Sequence, residues 1–231
     1  MLQASGTKRN GKEPMRVRSL NVARPRLVAW KGQTFSTGIF KQPVQGQVMM
    51  RRLDFDGDRQ ADLSVHGGPN KAVYAYPVEH YSFWRKELPE MELTWGAFGE
   101  NLTTEGLDEA TTHIGDRFRV GAATVMVTQP RMPCFKLAAK FQRDDILKRF
   151  LVSDRSGFYF SVIEEGVVAA GDAIERIHED ENGISVSDIN KLYRNGTDLT
   201  LMRRVTGLEP LPVDWREHFI QKLAQLERES S

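Results

Sequence analysis

The chain has 231 residues, 40% of them hydrophobic and 27% charged, with a net charge of +1; this is the composition of a globular protein with one large domain, or one domain and a small appendage. The near-zero charge, with acids and bases interspersed, excludes a polybasic nucleic-acid face or membrane-surface helix, and no apolar run approaches the ~20 residues that span a bilayer. One cysteine excludes an intramolecular disulfide and a self-contained four-cysteine iron–sulfur site, so a cytoplasmic protein without nucleic-acid or membrane partners is expected.

Residues 1–14 hold few apolar side chains and are expected to be a disordered extension, with Met15 a candidate true start. From Val17 to Leu53, short apolar runs (Val28-Ala29-Trp30, 35–40 and 47–53) alternate with Gly and Pro punctuation, which predicts the short strands of a barrel or sandwich. Residues 54–62 are polar and turn-rich, but they lack the twelfth-position Glu of an EF-hand calcium loop. Next comes Val65-His66-Gly67-Gly68-Pro69-Asn70-Lys71. Its paired glycines permit positive φ or close backbone approach to a ligand, and consecutive N–H groups beside Lys71 make an anion-binding turn.

Residues 72–76 read as a strand, and Pro77 as the start of a helix to Leu88 that buries Tyr81, Trp84 and Leu88 while leaving His80 in solvent. Phe98-Gly99-Glu100-Asn101-Leu102-Thr103 is a glycine-bearing loop ending in donors and acceptors. The apolar run 123–128 predicts a buried strand that delivers Gln129-Pro130-Arg131-Met132-Pro133-Cys134-Phe135-Lys136. Two prolines fix φ around the lone thiol, and Arg131 and Lys136 beside it favour thiolate. Such a thiol suits a metal ligand or a nucleophile; the plain alternative is a small buried apolar residue. Helical spacing follows over 135–151, and Arg155-Ser156-Gly157 feeds a strand containing Tyr159, which reads as core.

The acidic segment 179–183 marks a boundary between a domain at 15–178 and a three-helix domain at 184–229. On this reading, residues up to about Asn182 fold alone. Ser187 or Asp188 caps the first helix, Asp198 the second, and Pro212 starts the third; His113, His178 and His218 read as structural or solvated.

The order of motifs (Val65-His66-Gly67-Gly68-Pro69 with Lys71, Phe98-Gly99-Glu100-Asn101, Gly115-Asp116, then Gln129-Pro130-Arg131-x-Pro133-Cys134) resembles the MOSC domain family, and within it the stand-alone bacterial YiiM type, described as conferring resistance to N-hydroxylated purine analogues. The resemblance spans about Met15 to Ile177. It implies a mostly β fold with α: a strand-rich β-barrel like the domain inserted in pyruvate kinase, plus the small C-terminal three-helix domain. It also implies Cys134 as protein ligand to molybdenum in the molybdenum cofactor, a soft thiolate beside the dithiolene of molybdopterin.

The implied phosphate contacts are Lys71, Arg131, Lys136 and Arg155, with the Gly67-Gly68 turn and, more weakly, Thr103 and Ser156. His66 and Asn101 either meet substrate or the metal's oxo groups, or pin their own loops. The implied reaction is two-electron reduction of N–OH to N–H in a small molecule of the hydroxylaminopurine class. The chain carries no flavin, nicotinamide or iron–sulfur motif, so electrons are expected from a separate reductase. Pyridoxal phosphate is not expected, and a homo-oligomer is left open. Three alternatives stand beside this reading: a cofactor or sulfur carrier using a Cys134 persulfide, a zinc hydrolase using Cys134 and His66, and a cysteine nucleophile with His66 as base.

Overall fold

The computed structural model describes residues 14–59 and 67–229; residues 1–13 of the expected extension, and His66, lie outside them. The elements in chain order are β1 (Arg16–Val22), β2 (Arg26–Trp30), β3 (Gln33–Thr37), β4 (Gln42–Pro43), β5 (Val48–Met50), β6 (Val73–Pro77), α1 (Glu79–Glu87), β7 (Leu102–Glu105), β8 (Arg117–Val120), β9 (Ala123–Pro130), α2 (Phe135–Phe141), α3 (Ile146–Val152), β10 (Phe158–Glu164), β11 (Gly166–Val168), β12 (Ile174–His178), α4 (Val186–Asn195), α5 (Leu199–Thr206) and α6 (Val213–Glu229). A single-turn 3₁₀ helix, Pro69–Lys71, precedes β6.

Eight strands form one mixed sheet in the order β12-β8-β9-β10-β6-β7-β1-β4. All neighbours pair antiparallel except β6 and β7, which are parallel with α1 as part of their crossover. The expected closed barrel is corrected here: the ladder is open. The start of β1 is stitched to the segment before β12 by an isolated Arg16–Ala173 bridge and the backbone bonds Val17 N to Asp172 O (2.9 Å), Gly171 N to Val17 O (2.7 Å) and Ile174 N to Met15 O (2.8 Å), rather than by a strand pairing of the ladder. β2 and β3 form a separate hairpin, with Lys31 and Gly32 both at positive φ in its turn.

Strand positions follow the pattern of the sequence. β9 buries Ala123, Val125 and Val127 against Phe118 and Phe160 in one apolar cluster. A second cluster, rich in rings, packs Tyr76, Tyr81, Trp84, Phe98, Phe141 and Phe150. Trp84 Nε1 donates to Tyr76 Oη at 2.6 Å, so the buried polar tips satisfy each other. α1 begins at Glu79, two residues later than expected, because Pro77 still pairs with Thr104 as the last residue of β6. The helical spacing over 135–151 resolves into α2 and α3, broken by Gln142 at φ 52.

The cap of α4 is Ser185, in a reciprocal box with Asp188, rather than Ser187 or Asp188 itself. Asp198 caps α5 as expected. Val186, Ile189, Leu192, Met202, Val205 and Phe219 from these helices belong to the same apolar cluster as the sheet. Asn190 Nδ2 donates to Ser156 Oγ at 2.9 Å, and Ile114 N to Ile184 O at 2.9 Å. This shared core alters the consequence of cutting at Asn182. Burying each such side chain stabilises by roughly 1.5–3 kcal/mol. A chain ending at Asn182 is therefore expected to aggregate on expression; a monodisperse, cooperatively unfolding product would contradict the shared core.

Candidate active site

The lone thiol sits where the sequence places it, just past the end of β9. A register shift between Tyr159 and Phe160 leaves Thr128 as the extra residue of β9. Such a bulge re-aims the side chains beyond it. Thr128 Oγ1 donates to Asn70 O at 2.7 Å, which holds the turn bearing Lys71 against β9. Gly68 has φ 90, and nothing lies within 4 Å of where its Cβ would be. Its glycine is required by the backbone angle, not by close approach. Cys134 then takes an extended conformation (φ −128°, ψ 170°) and opens α2, with no side-chain capping bond.

Two clefts meet at this point. The first, about 660 Å³ of open space, is lined among the described residues by five cations, Lys41, Arg59, Lys71, Arg131 and Lys136, and by no acid. The second lies between the sheet and the helices, with Gln129, Tyr193, Trp215 and His218 on its walls. Lys71, Met132, Cys134 and Tyr159 line both, so the half-buried thiol forms part of their common wall.

Arg131 is the most enclosed of the cations, at 5% exposure. Its guanidinium lies 5.0 Å from the Phe150 ring centre and 5.4 Å from that of Tyr74, within cation–π range. Burial pushes the nearby Tyr159 hydroxyl up and the Arg131 charge pulls it back. Burial opposes the Arg131 charge, while Tyr74, Tyr159 and Cys134 favour it, and the net direction is upward. Nη1 of Arg131 is buried with no hydrogen-bond partner among the described residues. A buried charged donor without an acceptor calls for a ligand or an ordered water.

Behind the first cleft lies a polar network that sequence reasoning missed. Asp58, 3% exposed, accepts from Lys41 Nζ at 2.6 Å, from Ala23 N at 2.7 Å and from Asn101 Nδ2 at 2.8 Å. Asn101 Oδ1 accepts from Tyr74 N at 3.2 Å. Asn101 thus lines the cleft and also pins its loop. Glu100 is fully buried and accepts from Tyr81 Oη, Gly96 N, Phe98 N and Thr103 Oγ1.

Lys140 donates to Ile39 O and Gly96 O beside these loops. Burial lowers its ammonium to about 7, offset in part by Glu100 and reinforced by Lys41 and Arg131. Between about 7 and the ordinary 10.5, the unfolded chain binds a proton that the folded chain has released, so stability rises with pH across that window. The urea midpoint of the wild type is expected to rise from pH 7 to pH 9 relative to Lys140→Met; parallel profiles would contradict this.

Of the residues expected at the site, Cys134, Lys71, Arg131, Lys136 and Asn101 are brought together at the first cleft. Thr103 lines neither cleft; it bonds Glu100 and accepts from Asn21 at 3.2 Å. Arg155 also lines neither; it lies 4.1 Å over the Phe83 ring and donates to Ser153 O. Gly67 and Gly68 shape the turn before Lys71 without lining either cleft. Ser156 bonds Asn190 and Gly157. Tyr159, read as core, faces both clefts. His80, read as solvated, pairs with the buried Glu109 carboxylate at 2.7 Å, and His218 lines the second cleft. Among the described residues no group of three or more His, Cys, Asp or Glu gathers to hold a metal, and no helix is long and apolar enough to cross a membrane.

An open mixed sheet, a proline-braced thiol and a cationic cleft at the end of β9 define the class: the chain belongs to the MOSC domain family, whose model matches residues 62–175. Within that family it is of the YiiM type. The crystal structure of YiiM from Geobacillus stearothermophilus superposes with a TM-score of 0.77 at 33% identity, covering 91% of this chain and 100% of that one. The uncharacterized protein YflK of Bacillus subtilis is 44% identical over 211 residues, 91% of this chain and 95% of the relative. A Gibberella moniliformis protein named reductase is 34% identical over 181 residues, 77% of this chain but 32% of that longer protein.

Proposed function

We propose that the chain is a molybdenum-cofactor-dependent reductase of N-hydroxylated small molecules, acting in the cytoplasm with electrons from a separate reductase. The observation that carries this is the meeting of a partly exposed thiol with a cleft that five cations line among the described residues, in a chain of net charge +1. The residues fit the group. A metal held only by protein side chains needs several donors, whereas a cofactor that brings its own sulfur and oxygen donors asks the protein for one soft ligand. Cys134 is that ligand. Lys71, Arg131 and Lys136, joined by Lys41 and Arg59, hold the cofactor's phosphate, and the unpartnered Arg131 Nη1 gains an acceptor.

When bound, the cofactor supplies two-electron redox chemistry and Lewis acidity. The chain supplies position and hydrogen bonds. Burial keeps the Tyr159 hydroxyl protonated at neutral pH, so Tyr159 presents a hydrogen-bonding phenol on the wall shared by the two clefts. Asn101 holds the Tyr74 strand and Asp58 in register behind the cations. Similarity to a protein named reductase supports the direction of the chemistry.

Turnover separates this from a cofactor or sulfur carrier. Cofactor-loaded protein given an artificial electron donor is expected to convert 6-hydroxylaminopurine to adenine over many cycles. Conversion that stops at or below one equivalent would favour the carrier.

A further inference from the structure

We propose that Asp154 and Arg194 are positioning residues for Arg131: they line a small polar cavity behind the first cleft, where one ordered water ties the Arg131 side chain to the end of α4. The proposal rests on the anion-binding reading of the first cleft and on no step of the reduction.

Arg131 stands between two spaces. In front it lines the first cleft; behind, it lines a cavity of about 240 Å³ shared with Asp154, Ser156, Asn190 and Arg194. α4 reaches that cavity with Asn190 and Arg194, which are one helical turn apart and share a face. Asn190 holds Arg131 through the main chain. Its Nδ2 donates to Ser156 Oγ at 2.9 Å, Ser156 Oγ donates to Gly157 O at 2.7 Å, and the same carbonyl accepts from Arg131 N at 3.3 Å. Gly157 itself lies tight against β6: its φ is 60°, and a Cβ there would meet Ala75 O at 2.4 Å, so glycine is required.

The side chain is held by other means. Arg194 Nη2 donates to Asp154 Oδ2 at 2.6 Å. The remaining atoms of that pair, Arg194 Nε and Asp154 Oδ1, are buried and, like Arg131 Nη1, have no hydrogen-bond partner among the described residues. Buried polar atoms are rarely left so. Two donors and one acceptor around one small cavity match the valence of a water, which accepts from the two arginines and donates to the carboxylate. Arg131 Nη1 carries two hydrogens, so a water behind it and an anion in front are served together. Asp154 has φ 57°, a left-handed conformation that Asp and Asn tolerate better than other side chains.

The test is calorimetric titration of the full chain, made in a host without the cofactor, with inorganic phosphate at constant pH and ionic strength. Wild type is expected to bind. Asp154→Asn keeps the shape and suits the backbone, and it is expected to bind roughly tenfold more weakly, the low end of the cost of an outer-shell partner. Charge alone predicts the opposite sign, because deleting an acid behind a cationic cleft strengthens an anion. Arg194→Met is expected to match that loss, and Arg194→Lys, which keeps the charge without the Nε donor, to leave it unrestored. Thermal melting checks that each variant is folded. Crystals of the wild type are expected to show a water within about 3.2 Å of all three atoms. Unchanged or tighter phosphate binding in folded Asp154→Asn, full recovery in Arg194→Lys, or a dry cavity in the crystals would overturn the positioning role while leaving the anion site in place. No phosphate binding by the wild type would overturn the anion site, and the positioning role with it.

Discussion

Cys134→Ser is expected to fold as the wild type does and to lose both bound molybdenum and N–OH reduction. The fold should survive because Cys134 is half-buried, stands outside both apolar clusters, and opens α2 without a side-chain capping bond. Serine is among the preferred residues at that position, so local stability should hold or improve slightly. On the proposed reading the metal should go because an alkoxide is a poor substitute for a soft thiolate, and the neighbouring cations would hold only the phosphate end of the cofactor. Loss of an outer-shell partner typically weakens metal binding 10–100-fold; loss of the direct ligand should exceed that. Thermal melting, metal content and turnover on one preparation test the three parts together. Retained activity with serine at 134 would end the ligand role.

Asp58→Ala carries the largest expected change in stability. Its carboxylate is 1% exposed and its partner Lys41 8%. Truncation removes the acceptor for Lys41, for Ala23 N and for Asn101, and strands a buried ammonium. Breaking one side of a buried ion pair costs about 3–5 kcal/mol. For a chain of this length that corresponds to a fall in melting temperature of roughly 10 °C. Asp58→Ala with Lys41→Met should recover much of the loss, because the double variant leaves no charge unpaired. A single variant melting within two degrees of wild type would show that the pair is hydrated and not structural.

The position of the thiol was legible because its determinants are local. An apolar run, two prolines and flanking cations place Cys134 at a strand end whatever the rest of the chain does. Lys71, Arg131 and Lys136 were legible for the same reason, being within a few residues of a glycine turn or of the cysteine. Lys41 and Arg59 were not: each reaches the cleft through pairings of distant segments, and neither stands in a motif. Glu100 shows the opposite failure. Its loop reads as ligand-facing, yet its carboxylate is turned inward to collect the N–H groups of Gly96 and Phe98 and the hydroxyls of Tyr81 and Thr103. Sequence gives the donor and acceptor types but not the direction they face.

Tyr193, Trp215 and His218 form an amphipathic pattern that packing alone would explain. Only the docking of α4 and α6 beside β9 turns one edge of it toward the thiol. The closed barrel failed on a similar non-local detail: the start of β1 and the segment before β12 meet through one isolated bridge and a few backbone bonds, and the ladder stays open.

Elemental and pterin analysis of the wild-type chain, purified from a host that makes the cofactor, tests the central claim most directly. The account predicts molybdenum and molybdopterin approaching one per chain, and neither in Cys134→Ser. Stoichiometric zinc without pterin, or equal molybdenum in the serine variant, would contradict it.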